Sequence, residues 1–173
     1  AVTAAIGAIL GAISTRLHDD SLAITTIGIN FVVVSVFQYT QFFGGALGVG
    51  GIEYPSVLGR TLTKPEYLIV VVVCVLLGIW FDRRLVRSWL GLALRAVGQN
   101  EEAAESLGVP SAKFKISAFA IGTAYAGVAG SLYAHFMTFI SARDFGFPTS
   151  ISIISMAVFG GLGTLRGAIL GSL

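Results

Sequence analysis

Apolar stretches alternate with short polar breaks along this chain, and the stretch lengths limit what each can be. Ala1 to Thr15 is Ala/Gly-rich and carries no charge, and Arg16-Leu-His-Asp-Asp20 ends it. Ser21 to Phe37 holds only neutral polar groups (Thr25, Thr26, Asn30, Ser35) among β-branched and aromatic residues. Tyr67 to Phe81 reads YLIVVVVCVLLGIWF and stops at Asp82-Arg83-Arg84. Ile116 to Ser141 runs for 26 residues without Asp, Glu, Lys or Arg. A helix rises 1.5 Å per residue, so about 20 residues cross the roughly 30 Å of hydrocarbon in a bilayer. These stretches are therefore expected as membrane helices, the first being the end of one, because strands of such length are rare. Tyr67, Trp80 and Lys64 are expected to mark the two interfaces of the third.

Between the second and third stretches, Gln38 to Lys64 contains Gly44, Gly45, Gly48, Gly50, Gly51, Pro55 and Gly59, too many breakers for a regular element. A structured loop is expected there, with glycines that either shape a vestibule or gate or simply supply positive φ. Near the end, Pro148 to Phe159 gives about 12 apolar residues before Gly160-Gly161-Leu162-Gly163-Thr164, too few to cross. Either this is a half-helix whose glycine turn lies at membrane depth, or a helix kinked there that resumes at Leu165 to Leu173. Irregular backbone at that depth is tolerated only inside protein or against a water-filled cavity, so both versions point to a translocation path.

Composition agrees: 55% of the 173 residues are hydrophobic and 12% charged, with a mean hydropathy of +0.85. Soluble domains carry about 25% charged residues. A net charge of +2 gives no footing for nucleic-acid binding. The lone Cys74 excludes an internal disulfide and any cysteine metal cluster. Both ends fall in apolar sequence, so residues 1–173 are expected to be one transmembrane domain cut from a longer multi-span protein. The expected fold is an all-α polytopic transmembrane helical bundle with a short cytoplasmic helix.

Charge placement orients it. Six of the eleven Lys and Arg residues (Arg83, Arg84, Arg87, Arg95, Lys113, Lys115) lie between Asp82 and Lys115, close to the flanking spans, where the positive-inside rule counts. Residues 82–115 are thus expected in the cytoplasm. Arg143-Asp144 then returns to water on the opposite side, where Glu53, Glu66 and Arg60 also belong. Within the cytoplasmic loop, RAVGQNEEAAESLGVP spells a two-turn helix. Asn100 caps it, Glu101 and Glu102 suit the positive end of its dipole, Gly108 suits the left-handed C′ position, and Pro110 prevents continuation.

Other groups carry open alternatives. Ala118, Gly122, Ala126, Gly130 and Ala134 recur every four residues, a small-residue stripe that lets another helix backbone approach closely. Thr25, Thr26 and Asn30 either line a path for a zwitterion, which neutral groups bind without trapping, or hydrogen-bond between helices. His135 is either a functional intramembrane ionisable group or a residue reaching the interface.

These residues together resemble the permease family of high-affinity branched-chain amino acid ABC importers, which includes urea and short-chain amide permeases. The resemblance covers nearly the whole chain. It rests on Arg16-Leu-His-Asp-Asp-Ser-Leu-Ala-Ile-Thr-Thr-Ile-Gly28, on Gly44-Gly45 through Gly48 to Gly51-Ile52, on Arg83-Arg84-Leu85-Val86-Arg87-Ser88 with Gly91 to Gly108, and on Gly160-Gly161-Leu162-Gly163-Thr164 with Gly167. Ile140-Ser141 through Phe145-Gly146-Phe147 favours the amino-acid branch, while Leu92 and Gly98 stand where the family usually has basic residues.

The resemblance implies ATPase coupling through Glu101, Glu102, Ala103, Ala104 and Gly108. It implies a substrate path past Thr25, Thr26, Asn30, Gly44, Gly45, Gly160, Gly161, Gly163 and Thr164. The implied partners are a second permease subunit, cytoplasmic ABC ATPase subunits, an extracytoplasmic binding protein and membrane lipid; the implied location is the plasma (inner) membrane, multi-pass. No cofactor is expected, ATP being bound by the partner subunit, since the chain has no Gly-x-x-x-x-Gly-Lys-Ser/Thr loop. The alternatives are a urea or short-chain amide permease of the same family and an ion-coupled secondary transporter. The latter usually needs intramembrane Asp, Glu or paired charges, which the spans lack apart from His135, and no span carries the clusters of a membrane enzyme.

Overall fold

The computed structural model describes residues 2–15, 19–41, 44–52, 55–57, 60–61, 63–161, 163 and 165–172. Helix dominates. In chain order the elements are α1 (Val2–Ser14), α2 (Asp19–Tyr39), β1 (Val49–Gly50), β2 (Ser56–Val57), β3 (Arg60–Thr61), α3 (Lys64–Val86), α4 (Trp89–Gln99), α5 (Glu101–Ser106), α6 (Ser111–Met137), β4 (Phe139–Ile140), α7 (Phe147–Gly160) and α8 (Leu165–Ser172). Single 3₁₀ turns stand at Gly45–Leu47 and Ala142–Phe145. Contacts divide the chain into two units, one of Ala1–Asp19 with Tyr54–Phe136 and one of Asp20–Glu53 with Met137–Leu173.

One described helix, α6, is both long and apolar enough to cross a membrane, with 27 residues. The 23 residues of α3 include Lys64, Glu66, Asp82, Arg83 and Arg84 at its ends, which leaves an apolar centre shorter than a full span. Val2–Ile13 and Ile24–Tyr39 are shorter apolar stretches. The side chains that water would exclude are largely outside: Val72, Val73, Val75, Leu76 and Leu77 of α3 are all exposed. Such a surface suits hydrocarbon or further protein.

In the first unit, α3 and α6 are stitched by reciprocal bonds. Tyr67 of α3 donates its hydroxyl to Leu132 O of α6 at 2.6 Å, and Tyr125 of α6 donates to Gly78 O of α3 at 3.0 Å. Tyr67 buries its ring and Tyr125 is exposed, and each finds an acceptor for its polar tip. Glu66 accepts from Thr63 N–H at 2.7 Å, closing the first turn of α3, and this backbone bond holds its carboxyl below the usual range.

α1 packs on α6 through a face that the four-residue stripe did not single out. A Cβ on Gly7 would come 2.7 Å from Thr123 Cβ, one on Gly11 3.0 Å from Ile116 Cα, and one on Gly127 2.9 Å from Thr3 Cβ. The order of these contacts is antiparallel, with small residues every four positions on α1 and Thr123 and Gly127 opposite them on α6, and small residues are what let backbones come close in membranes. By contrast, nothing within 4 Å faces Gly122 or Gly130.

In the second unit, β1 pairs antiparallel with β4, Val49 opposite Ile140 and Gly50 opposite Phe139. Gly48, at φ 77, lies so close to the Ile140 carbonyl that a side chain would collide with it. This short ribbon lies partly in the segment expected as a loop. Further on, α7 and α8 form a hairpin: a Cβ on Gly160 would come 2.7 Å from Gly167 C, and one on Gly171 3.0 Å from Gly160 Cα. Of the two versions expected for this region, the hairpin matches the half-helix. The 14 residues of α7 rise only about 21 Å.

Candidate functional site

The buried apolar core among the described residues is small and lies in the polar loop. Ala93 and Val97 of α4, Ala104 of α5 and Phe114 of α6 form it, with Leu90, Leu94 and Val109 packed against them. The sequence builds this platform from the α3–α4 corner onward. Ser88 donates its hydroxyl to Leu85 O at 2.6 Å and accepts from Gly91 N–H at 3.4 Å, so it both ends α3 and caps α4. A Cβ on Gly91 would lie 2.7 Å from Val86 Cα, so glycine lets α4 turn back against the end of α3. Trp89 covers Phe114, their ring centroids 5.5 Å apart.

The caps expected for α5 are present. Asn100 Oδ1 accepts from Ala103 N–H at 2.9 Å. At the other end, Gly108 N–H donates to Glu105 O at 2.9 Å and Val109 N–H to Ala104 O at 3.0 Å, the two bonds of a Schellman motif. Gly108 has φ 81 and open space around it, so backbone conformation alone asks for glycine. Val109 and Ala104, joined by that second bond, also meet in the core.

Two side-chain ties bind α5 to the start of α6. Lys115 Nζ reaches Glu101 Oε2 at 2.5 Å, and Ser111, itself buried, donates its hydroxyl to Glu105. The hydrogen bond from Lys115 holds the Glu101 carboxyl below the usual range. A cleft of about 370 Å³ beside this pair is lined by Gly98, Gln99, Asn100 and Ala118. The remaining face of α5 is bare: Glu102, Ala103, Ser106 and Leu107 are exposed, Leu107 to 83%. Thus the structure gathers Glu101, Glu102, Ala103, Ala104 and Gly108 into one element, with Ala104 buried beneath it. α4 was not anticipated from the sequence, although its cap Ser88 and the spacing of Leu90, Ala93, Leu94 and Val97 signal it.

The residues read as a substrate path lie in the second unit. Thr25 and Thr26 are half-buried on α2. Asn30, one turn further along, donates its amide to Phe145 O at 3.4 Å and Ser150 Oγ at 3.5 Å, and Phe31 stacks on Phe147 with centroids 5.7 Å apart. The Oδ1 atom of Asn30 is buried without a hydrogen-bond partner. Gly44 and Gly45 form the turn before β1 with positive φ, Gly160 and Gly161 end α7, Gly163 has φ 81, and Thr164 lies outside the described residues. The positions of the small-residue stripe, Ala118, Gly122, Ala126, Gly130 and Ala134, are exposed or half-exposed. Among the described residues, the hydrogen bonding of His135 stays within its own helix, its Nδ1 lying 2.7 Å from Ser131 O. Among the described residues no cluster of His, Cys, Asp and Glu could hold a metal.

Residues 1–173 match the family model described as "Branched-chain amino acid transport system / permease component". The chain is 30% identical to the high-affinity branched-chain amino acid transport system permease protein LivM of Salmonella typhimurium, over 98% of this chain and 46% of that protein. It is 31% identical to the probable LivM permease of Methanocaldococcus jannaschii, over 97% of this chain and 50% of the relative. The LivH permease of Salmonella typhimurium is 30% identical over 77% of this chain and 42% of its own length. The chain thus spans about half the length of the curated relatives it matches. No solved structure matches it at a significant level. With its apolar helices, it belongs to the family of permease components of branched-chain amino acid transport systems.

Proposed function

We propose that this chain is part of a multi-pass permease subunit in an ATP-driven importer of branched-chain amino acids. The observation that carries this is the α4–α5 platform. A short helix capped at both ends, tied to a long apolar helix by Lys115 and Ser111, presents an exposed leucine and a free face. An apolar side chain held out on a capped two-turn helix, beside the exposed Glu102, Ala103 and Ser106, fits a groove on a soluble partner. In this reading residues 82–115 are cytoplasmic and the partner is an ATPase subunit. Its closure on ATP moves α5, which moves α6.

A second permease subunit, of the LivH or LivM kind, supplies the other half of the path and covers Ala118, Gly122, Ala126, Gly130 and Ala134. An extracytoplasmic binding protein delivers the amino acid. The path runs past Thr25, Thr26, Asn30 and the glycine turns at Gly44, Gly45, Gly160, Gly161, Gly163 and Thr164. The α7–α8 hairpin supports a turn at membrane depth.

The test is co-purification of the ATPase with the complete permease, together with uptake in proteoliposomes. Leu107→Asp is expected to release the ATPase and abolish uptake while leaving the permease inserted. Full ATPase retention and normal uptake in that variant would refute the docking role.

A further inference from the structure

A cavity of about 510 Å³ opens in the second unit, among α2, the β1–β4 ribbon and the 3₁₀ turn that follows it. Its size falls within the roughly 300–1,000 Å³ of small-ligand sites. Val33, Val34, Phe37, Val49 and Ile140 make its wall apolar, while Asn30 and Ser141 supply the polar side chains.

Each of these two has an unused hydrogen-bonding function. Asn30 Oδ1 is buried without a donor, a state strongly disfavoured until one arrives. Its amide side is held only by bonds of 3.4 and 3.5 Å, long enough for the carboxamide to turn. The Ser141 hydroxyl accepts from Arg143 N–H at 3.4 Å, and its own proton goes to no described group. Once the carboxamide turns its Oδ1 inward, the cavity offers one acceptor and one donor, both neutral, beside an aliphatic wall.

We propose that this cavity binds an aliphatic amino acid as a zwitterion, with Asn30 Oδ1 accepting from the ammonium group, the Ser141 hydroxyl donating to the carboxylate, and the side chain against Val33, Val34 and Val49. The proposal rests on the permease reading and names the residues that hold the cargo. Neutral partners suit transit, since a zwitterion gains directional bonds without the deep trap of a buried ion pair. The apolar wall discriminates against charged side chains, which would lose their hydration there.

The test uses the complete permease assembled with its partner subunits, carrying Val34→Cys with Cys74 and every other native cysteine of the assembly replaced by serine. Millimolar leucine is expected to slow maleimide labelling at position 34 several-fold, and aspartate is expected not to. Asn30→Leu should abolish that protection, Asn30→Asp should keep it, and Val33→Trp, which fills the cavity, should abolish both protection and uptake; co-purification of the partner subunits checks assembly of each variant. Equal protection of wild type and Asn30→Leu, or labelling indifferent to leucine, would overturn the proposal while ATP-driven uptake by the wild type leaves the permease reading intact. If the wild type shows no ATP-driven uptake but leucine protection follows Asn30, the permease reading fails and the cavity stands.

Discussion

Lys115, in the second turn of α6, holds Glu101, the first residue of α5, with its ammonium 2.5 Å from the carboxylate. Both side chains are partly exposed, at 29% and 41%, so the pair contributes about 0.2–1 kcal/mol, as exposed ion pairs do. Its value lies in direction, since it fixes α5 against one face of α6. Lys115→Met is expected to leave expression unchanged, to speed amide hydrogen exchange in residues 101–107, and to lower the ratio of amino acid taken up to ATP hydrolysed.

The same pair sets a pH dependence. The Glu101 carboxyl lies below its ordinary value because the ionised form accepts from Lys115. A lowered value means that the stabilisation is complete above the unfolded carboxylate value of about 4.3 and is lost as pH falls through the folded value. Protection of the α5 amides relative to their intrinsic exchange rate should therefore fall as pH drops below the ordinary carboxylate range, and Glu101→Gln should show low protection at neutral pH and little further acid response.

Gly108 is the position where α5 is most open to a single change. Its φ of 81 costs an L-residue roughly 1–2 kcal/mol, and open space means that strain is the whole penalty. Gly108→Val should fray the Schellman turn and reduce coupling, whereas Gly108→Asn, which tolerates that conformation, should remain near wild type. Coupled uptake in proteoliposomes reads the difference.

Asn100→Ala should weaken the start of α5 by about 0.5–2 kcal/mol, and Asn100→Asp should preserve it, since both Asn and Asp accept from the Ala103 N–H. Hydrogen exchange at Ala103 distinguishes them.

Gly7 and Gly122 separate two kinds of helix packing. Gly7→Ile collides with Thr123 and is expected to lower the midpoint of thermal unfolding of the complete permease. Gly122→Ile meets nothing within 4 Å, so the permease should fold, and the second permease subunit should be lost on purification.

Much of this was legible because it is local. The cap at Asn100, the turn at Gly108 and the stop at Pro110 follow from backbone chemistry within a few residues, and the structure repeats them bond for bond. Most helices also announced themselves through apolar length. α4 did not, since its Leu and Ala positions run on from a charged corner and only Ser88 and Gly91 mark the turn. The α1–α6 contact was hidden for another reason: Thr3, Gly7 and Gly11 are as regular as the stripe on α6, and sequence alone does not say which small-residue face meets which helix. The orphan Oδ1 of Asn30 depends on Phe145 and Ser150, more than a hundred residues away.

The two tyrosine bonds between α3 and α6 give that helix pair a mechanical character. Near one end of α6, Lys115 and Ser111 fasten it to α5; some 17 residues on, Leu132 accepts from Tyr67 at the opposite end of α3. With Tyr125 pinned to Gly78 between them, the pair resists sliding past itself. A push on α5 is then delivered along a braced strut, arriving as displacement roughly 25 Å away rather than being spent in bending.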